Sequence, residues 1–161
     1  MISSFLPEII LFLVCCWIAR PIQVCIHEIG HALLAYLLTS GKIALSLGQN
    51  TTPALQTRRL TLHLSPHRWD RGSVRFDREG VSSMRLAMIM VAGASTNLIS
   101  VVVAAFFVML DSVYAVPMTP FIFYGLKVGL LAAYPFKYRS IPIESDGHAF
   151  LRLVHYSLYH R

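Results

Sequence analysis

Two histidines four residues apart, with a glutamate beside the first, form an H-E-x-x-H motif: His27-Glu28-Ile29-Gly30-His31. On a helix, residues at i and i+4 share a face, so both imidazoles can grip one metal ion. Glu28 can then take a proton from a water that the metal activates. The motif recurs by chance in many chains, and the bland alternative is a helix face with incidental histidines. The setting sharpens the functional reading, because the motif lies within a long apolar stretch. Ionisable side chains at lipid depth are costly and mark functional positions by default.

Catalytic zinc generally takes three protein ligands and leaves a fourth position open. His27 and His31 supply two. The third is open at this point among Asp146, Glu144, His148, His155 and the histidines of the middle segment. His63 sits in a strand-like run and His67 in a turn, neither with a partner at ligand spacing, so sheet or surface roles suit them better.

The elements that must position these residues are apolar. Of 161 residues, 55% are hydrophobic and 14% charged, and the mean hydropathy is +0.58, outside the soluble balance. Three blocks, residues 5–38, 84–110 and 113–136, are each long enough to cross hydrocarbon at ~20 residues per span. The first contains Arg20 and Pro21 but no turn long enough to reverse direction, so it reads as one kinked helix. A signal peptide over residues 1–19 is disfavoured, since no basic region precedes Phe5 and no small-x-small cleavage site follows. Cys15, Cys16 and Cys25 all lie in this block, which argues against a disulfide framework; Cys25 faces away from His27 and reads as packing.

Charge sets the orientation. Residues 42–85 carry Lys42, Arg58, Arg59, Arg68, Arg71, Arg75, Arg78 and Arg85 against Asp70, Asp77 and Glu79, and the tail carries Lys137, Arg139, Arg152 and Arg161. The connection near 111–116 has only Asp111. By the positive-inside rule the loop 42–83 and the C-terminus are cytoplasmic and the N-terminus is outside. Asp146 then falls on the side where the helix carrying His31 ends. The net charge of +6 is thus a topology signal; no stacking aromatics or binding motif accompany the arginines, so nucleic acid is not an expected partner.

Residues 42–80 have a different texture. Ile43–Leu47, Leu60–Leu64 and Ser73–Phe76 alternate with period two between Gly48, Asn50, Pro53, Pro66 and Gly72, which predicts a small antiparallel sheet or hairpins at the membrane edge. In the second block, Ala92-Gly93-Ala94-Ser95-Thr96-Asn97 reads first as a close helix contact. Asn97 stands out: a buried carboxamide wants partners, and it could donate to a peptide carbonyl or a developing oxyanion. Prolines and glycine make 134–148 non-helical, with a helix starting near Asp146. The closing segment 147–160 is too short to span and would lie at the interface or beside the core.

Taken together, the chain resembles the site-2 protease family of intramembrane zinc metalloproteases. H-E-x-x-H at His27–His31, G-x-x-x-N at Gly93–Asn97 and the pair Asp146-Gly147 follow in the family's order over nearly the whole chain. The resemblance implies a polytopic α-helical membrane protein with three core transmembrane helices and a membrane-edge β-sheet between the first two. It implies one Zn2+ per chain on His27, His31 and Asp146, Glu28 activating water, and Asn97 holding the substrate or its oxyanion. Two places depart from the family. Asn-x-x-Pro is replaced by Ala132-Ala133-Tyr134-Pro135, and Glu144-Ser145 stand where a Leu or Pro commonly precedes Asp-Gly. These residues include no PDZ or nucleotide-sensing (CBS) domain, so regulation would need a separate partner or be absent.

The expected substrate is a membrane protein whose transmembrane helix unwinds in the bilayer and adds as a strand to an edge within residues 43–64. Arg20, about 10 Å along the axis from His27 and on roughly the same face, either snorkels to the outer interface, fills a polar cavity or lines the substrate entrance. Two rivals remain: a zinc-binding membrane scaffold without cleavage, and a small metal-handling membrane protein. The latter needs an ion path across the bilayer, whereas these ligands cluster near one side.

Overall fold

The computed structural model describes residues 2–49, 52–137 and 144–159. Asn50, Arg139, Pro142 and Arg161, used above as turn or charge signals, lie outside the described residues.

Helix α1 runs from Ile2 to Leu38 in one piece, through Pro21. Its apolar run sustains the helix until Thr39, Ser40 and Gly41. There Arg59 reaches across to donate to the carbonyls of Tyr36, Thr39 and Gly41, which the helix end leaves without partners. Helix α2, Ser83–Leu110, starts where the Ser82 side chain accepts from the Arg85 N–H. A 3-10 turn at Ser112–Tyr114 follows, and helix α3 spans Ala115–Ala133. The third block was expected to reach Phe136. The helix stops three residues earlier because Pro135 drives Tyr134 into an extended conformation, φ −69° and ψ 125°. Phe5–Leu38, Ser83–Leu110 and Ser112–Ala133 are each long and apolar enough to cross a membrane. Their outward faces carry exposed large apolar side chains such as Leu13, Trp17, Val102, Phe106 and Leu131.

Between α1 and α2 lies a four-stranded sheet: β1 (Ile43–Leu47), β2 (Pro53–Gln56), β3 (Leu60–Leu64) and β4 (Gly72–Phe76), ordered β2-β3-β1-β4. The three alternating runs are β1, β3 and β4, but the sheet is mixed rather than antiparallel, since β1 pairs with β3 in parallel, Ile43 opposite Leu60. β2 was not expected; all four of its residues are exposed, so it carries no alternating pattern. Within 43–64, β1 and β3 are interior strands and only β2 is an edge. The other edge is β4, which pairs antiparallel with β1. The sheet rests its inner face, including Ile43, Leu45, Val74 and Phe76, on Ala32 and Ala35 of α1 and Ile89 of α2.

The loop after β3 turns back along α1. Trp69 packs against Trp17 with ring centroids 4.9 Å apart and planes tilted by 57°, and Asp70 pairs with Arg20 at 2.8 Å. Arg20 therefore meets an acidic residue of the middle segment, a contact invisible to a reading that set the two on opposite sides. Cys25 borders an apolar cavity between α1 and this loop with Trp69 and Leu64, consistent with packing; Cys15, Cys16 and Cys25 are all free thiols.

Helix α4, Asp146–Tyr159, packs beside α2. Ser145 fixes its start. The Ser145 hydroxyl accepts from the His148 N–H at 3.2 Å and the Phe136 N–H at 3.0 Å, and donates to the Tyr134 carbonyl at 2.7 Å. One side chain thus caps α4 and stitches it to the end of α3.

Candidate metal centre

His27 and His31 stand one turn apart on the face of α1 that packs against α2, and both are buried. That close approach requires glycine at 93. A Cβ there would collide with His31 Nε2 and with the His27 ring, so the small-residue run is both a helix contact and the floor of the site. Asp146 arrives from the first turn of α4. Gly147 permits this, because a Cβ at 147 would run into the Ala133 carbonyl at the end of α3.

Among the described residues, His27, His31 and Asp146 form the one group of three or more His, Cys, Asp or Glu whose ligand atoms gather in one place, all within 4.8 Å of one another. His27 Nε2 is 3.0 Å and His31 Nε2 3.1 Å from Asp146 Oδ2, and the two nitrogens are 3.2 Å apart. Ligands about 2.0–2.1 Å from a tetrahedral zinc lie roughly 3.3 Å from one another, so the triangle has the right size.

The donor set fits a cation for a second reason. His31 Nδ1 faces the Ile89 carbonyl at 2.6 Å, and a carbonyl only accepts, so the proton of neutral His31 is on Nδ1. His27 Nδ1 faces Asn97 Oδ1 at 2.8 Å, with the same consequence. Both Nε2 atoms then present bare lone pairs to a carboxylate oxygen. Three acceptors converge, and that is stable only with a proton or a metal ion among them. The carboxyl of Asp146 reflects this. Burial would raise its pKa, but hydrogen bonds that the carboxylate accepts from a proton held between it and the His27 and His31 rings outweigh burial and hold it at about 2, below the ordinary 3.8.

None of the remaining candidates joins the triangle. Glu144 bonds His148 Nδ1 at 2.7 Å and also pairs with Arg152. Burial opposes the ionised form, but Arg152 and His148 outweigh it and lower its pKa. His155 stacks on Tyr159, and His63 lies on β3, its Nδ1 buried without a hydrogen-bond partner.

Glu28, His27, His31 and Asp146 line one cavity of about 620 Å3, whose opposite wall is β4. Gly72 lies against the Glu28 side chain. The Arg71 carbonyl accepts from the Gly48 N–H at 2.8 Å, and Ser73 and Arg75 pair with Ser46 and Ala44. The two-residue alternation of an antiparallel ladder therefore turns the N–H and C=O groups of Gly72, Val74 and Phe76 away from β1. Among the described residues β4 has no partner on that side, so an open strand edge borders the cavity that holds Glu28 and the His27–His31–Asp146 triangle.

Asn97 is fully buried, and both its amide ends are engaged: Oδ1 with His27, and Nδ2 donating to the Gln23 main-chain carbonyl at 2.9 Å and to Gln23 Oε1 at 2.7 Å. Placed so, it orients a ligand and has no donor directed at the cavity. Sequence reasoning passed over Gln23 and met Ser145 only as a departure from the family pattern, not as the cap of α4. Gln23 did carry a signal, as a polar residue one turn before His27 in an apolar helix. Comparison with family models, curated proteins and solved structures gives no match.

Proposed function

We propose that this chain is an intramembrane zinc metalloprotease of the site-2 protease type, hydrolysing peptide bonds in or near the transmembrane segments of membrane proteins. One observation carries the reading. A His-His-Asp triangle, the Glu28 carboxylate and an open strand edge share one cavity between α1, α2, β4 and α4, in a chain with three helices long and apolar enough to cross a membrane.

The bilayer is the natural solvent of those helices, whose large apolar side chains are otherwise exposed. The 19 residues of α3 extend about 28 Å at 1.5 Å per residue, close to the ~30 Å hydrocarbon core. The basic residues of 42–83 and of the C-terminal segment assign both to the cytoplasm and the N-terminus to the outside.

His27, His31 and Asp146 would hold one zinc ion. When bound, zinc supplies Lewis acidity, acidifying a water and polarising a peptide carbonyl. Glu28 takes the proton as the water attacks and returns it to the leaving amine. A helical substrate has its carbonyls engaged, so it must unwind, and the outward groups of Gly72, Val74 and Phe76 offer hydrogen bonds to the extended strand. β4, rather than an edge within 43–64, is the strand placed for this. Asn97 supports His27, which replaces the oxyanion role expected from the resemblance.

The test is Glu28→Gln in detergent-purified protein, assayed for zinc and for cleavage of a panel of reconstituted single-span proteins. Zinc should be retained and hydrolysis should fall at least about 100-fold. Hydrolysis at the wild-type rate would remove Glu28 as the base, and a wild type that binds no zinc would overturn the metalloprotease reading.

A further inference from the structure

Gln23 lies one turn before His27 on α1, and its side chain is completely buried. Its Nε2 donates to the Phe121 carbonyl of α3 at 3.1 Å. Its Oε1 accepts from Asn97 Nδ2 at 2.7 Å and from Ser100 Oγ at 3.1 Å. Space for this amide exists because residue 125 is glycine; a Cβ there would stand 2.9 Å from Gln23 Nε2 and 2.6 Å from Val101 Cγ2. Three helices therefore meet at a carboxamide that touches neither the cavity nor a ligand atom.

The chain of bonds has a direction. A main-chain carbonyl only accepts, so Gln23 must turn its Nε2 to Phe121 and hence its Oε1 to Asn97. Asn97 must then offer Nδ2 to Gln23 and Oδ1 to His27. An amide oxygen only accepts, so the proton of neutral His27 must be on Nδ1, and Nε2 is left bare beside His31 Nε2 and Asp146 Oδ2. Reversing the Asn97 amide would place a donor against His27 Nδ1 and favour a proton on Nε2, where it blocks ligation; reversing the Gln23 amide would set its Nε2 against Asn97 Nδ2, two donors facing each other. A polar side chain that only glued helices together would not need this polarity.

We propose that Gln23 is a positioning residue that reinforces the tautomer of His27 through Asn97: its side chain, anchored on the Phe121 carbonyl, and its own main-chain carbonyl demand the same Asn97 polarity. The proposal rests on the metal-centre reading above and adds to it a second support for the His27 tautomer that leaves Nε2 free to bind. Outer partners of metal-bound histidines typically change metal affinity 10–100-fold. The effect of Gln23 belongs near tenfold, because Asn97 keeps its bond to the Gln23 main-chain carbonyl in any variant.

The experiment uses the full chain in detergent. Nitrogen-15 NMR of histidine-labelled, zinc-free protein near pH 8, above the ordinary imidazole range, reads the tautomer of His27. Competition with a chelator reads zinc affinity for wild type, Gln23→Met and Gln23→Asn. Methionine fills the volume without the amide; asparagine keeps the amide but is too short to reach both partners. The expected result is Nδ1–H His27 in the wild type, with depletion of that tautomer and about tenfold weaker zinc binding in whichever variant folds. Wild-type His27 in the Nε2–H form, or variants with unchanged tautomer and affinity, would overturn the proposal. If the wild type binds no zinc, the metalloprotease reading fails, while the tautomer measurement still decides the role of Gln23.

Discussion

Asp146 Oδ2 lies 3.0 Å from His27 Nε2, across 119 residues of sequence. The contact joins the first turn of α4 to the middle of α1, and it exists because Ser145 and Gly147, on either side of Asp146, pin α4 to the end of α3. A ligand set this dispersed in sequence is assembled by the tertiary fold and by no single element.

Replacing Asp146 should therefore empty the site. Detergent-purified wild type is expected to carry close to one zinc per chain by elemental analysis, and Asp146→Ala far less. Equal zinc in both would remove Asp146 and make Glu144 or His148 the ligand to test next.

Gly93→Ala tests the floor of the site. The added methyl meets both imidazoles, so zinc affinity should fall at least about tenfold, with an overpacking cost of order 1–3 kcal/mol. Gly129→Ala is the control: its Cβ would stand 3.2 Å from Asn97 Cβ, away from the ligand atoms. Zinc binding by Gly93→Ala equal to wild type would mean that the helices approach less closely than described.

Proline at 74 separates sheet integrity from substrate pairing. The Val74 N–H points away from β1, so its loss spares the ladder, as for proline on natural edge strands. Val74→Pro should keep fold and zinc yet lose most cleavage. Val74→Ala, with similar loss of packing but an intact N–H, should cleave. If Val74→Pro processes substrate as well as Val74→Ala, strand addition at β4 is wrong.

Acid should loosen α4 in the zinc-free protein. The Asp146 pKa is depressed to about 2 from 3.8, and a depressed carboxylate contributes stability that is complete above its unfolded pKa and lost as pH falls through its folded one. Glu144, also lowered, acts in the same sense. Near-ultraviolet circular dichroism, which senses Tyr156 and Tyr159 on α4, should hold steady down to about pH 4 and change between 4 and 2. A change confined to the range above pH 5 would contradict this assignment.

Much of this was legible in the sequence, and the parts that were not share a cause. H-E-x-x-H encodes its own geometry, since helical periodicity alone brings His27 and His31 together. Period two gave β1, β3 and β4, because each puts alternate residues on the core. β2 has no buried face and left no pattern, and the parallel pairing of β1 with β3 depends on strand order, which local periodicity does not contain. Charge put Asp146 on the side where α1 ends, but no local pattern brings it to the His27 and His31 nitrogens. Asn97 was conspicuous as a buried amide, yet its orientation depends on Gln23, whose own side chain is anchored on the Phe121 carbonyl, a main-chain group with no sequence signature. Pro135 was visible, and its restriction on Tyr134 sets the true end of α3.

That end has a mechanical consequence. Gly129 of α3 packs on Asn97, and α3 stops one turn later, while α1 continues eleven residues past His27 to Leu38, about 16 Å at 1.5 Å per residue. The ligand triangle sits on the step left by the short helix. In a bilayer, the height of that step above the membrane midplane is a fixed dimension of the bundle, like a stop on a cutting gauge. A thicker or thinner membrane would slide a substrate's apolar span relative to the stop without altering the stop itself. Which bond of the substrate is cut would then depend on lipid thickness as well as on side chains.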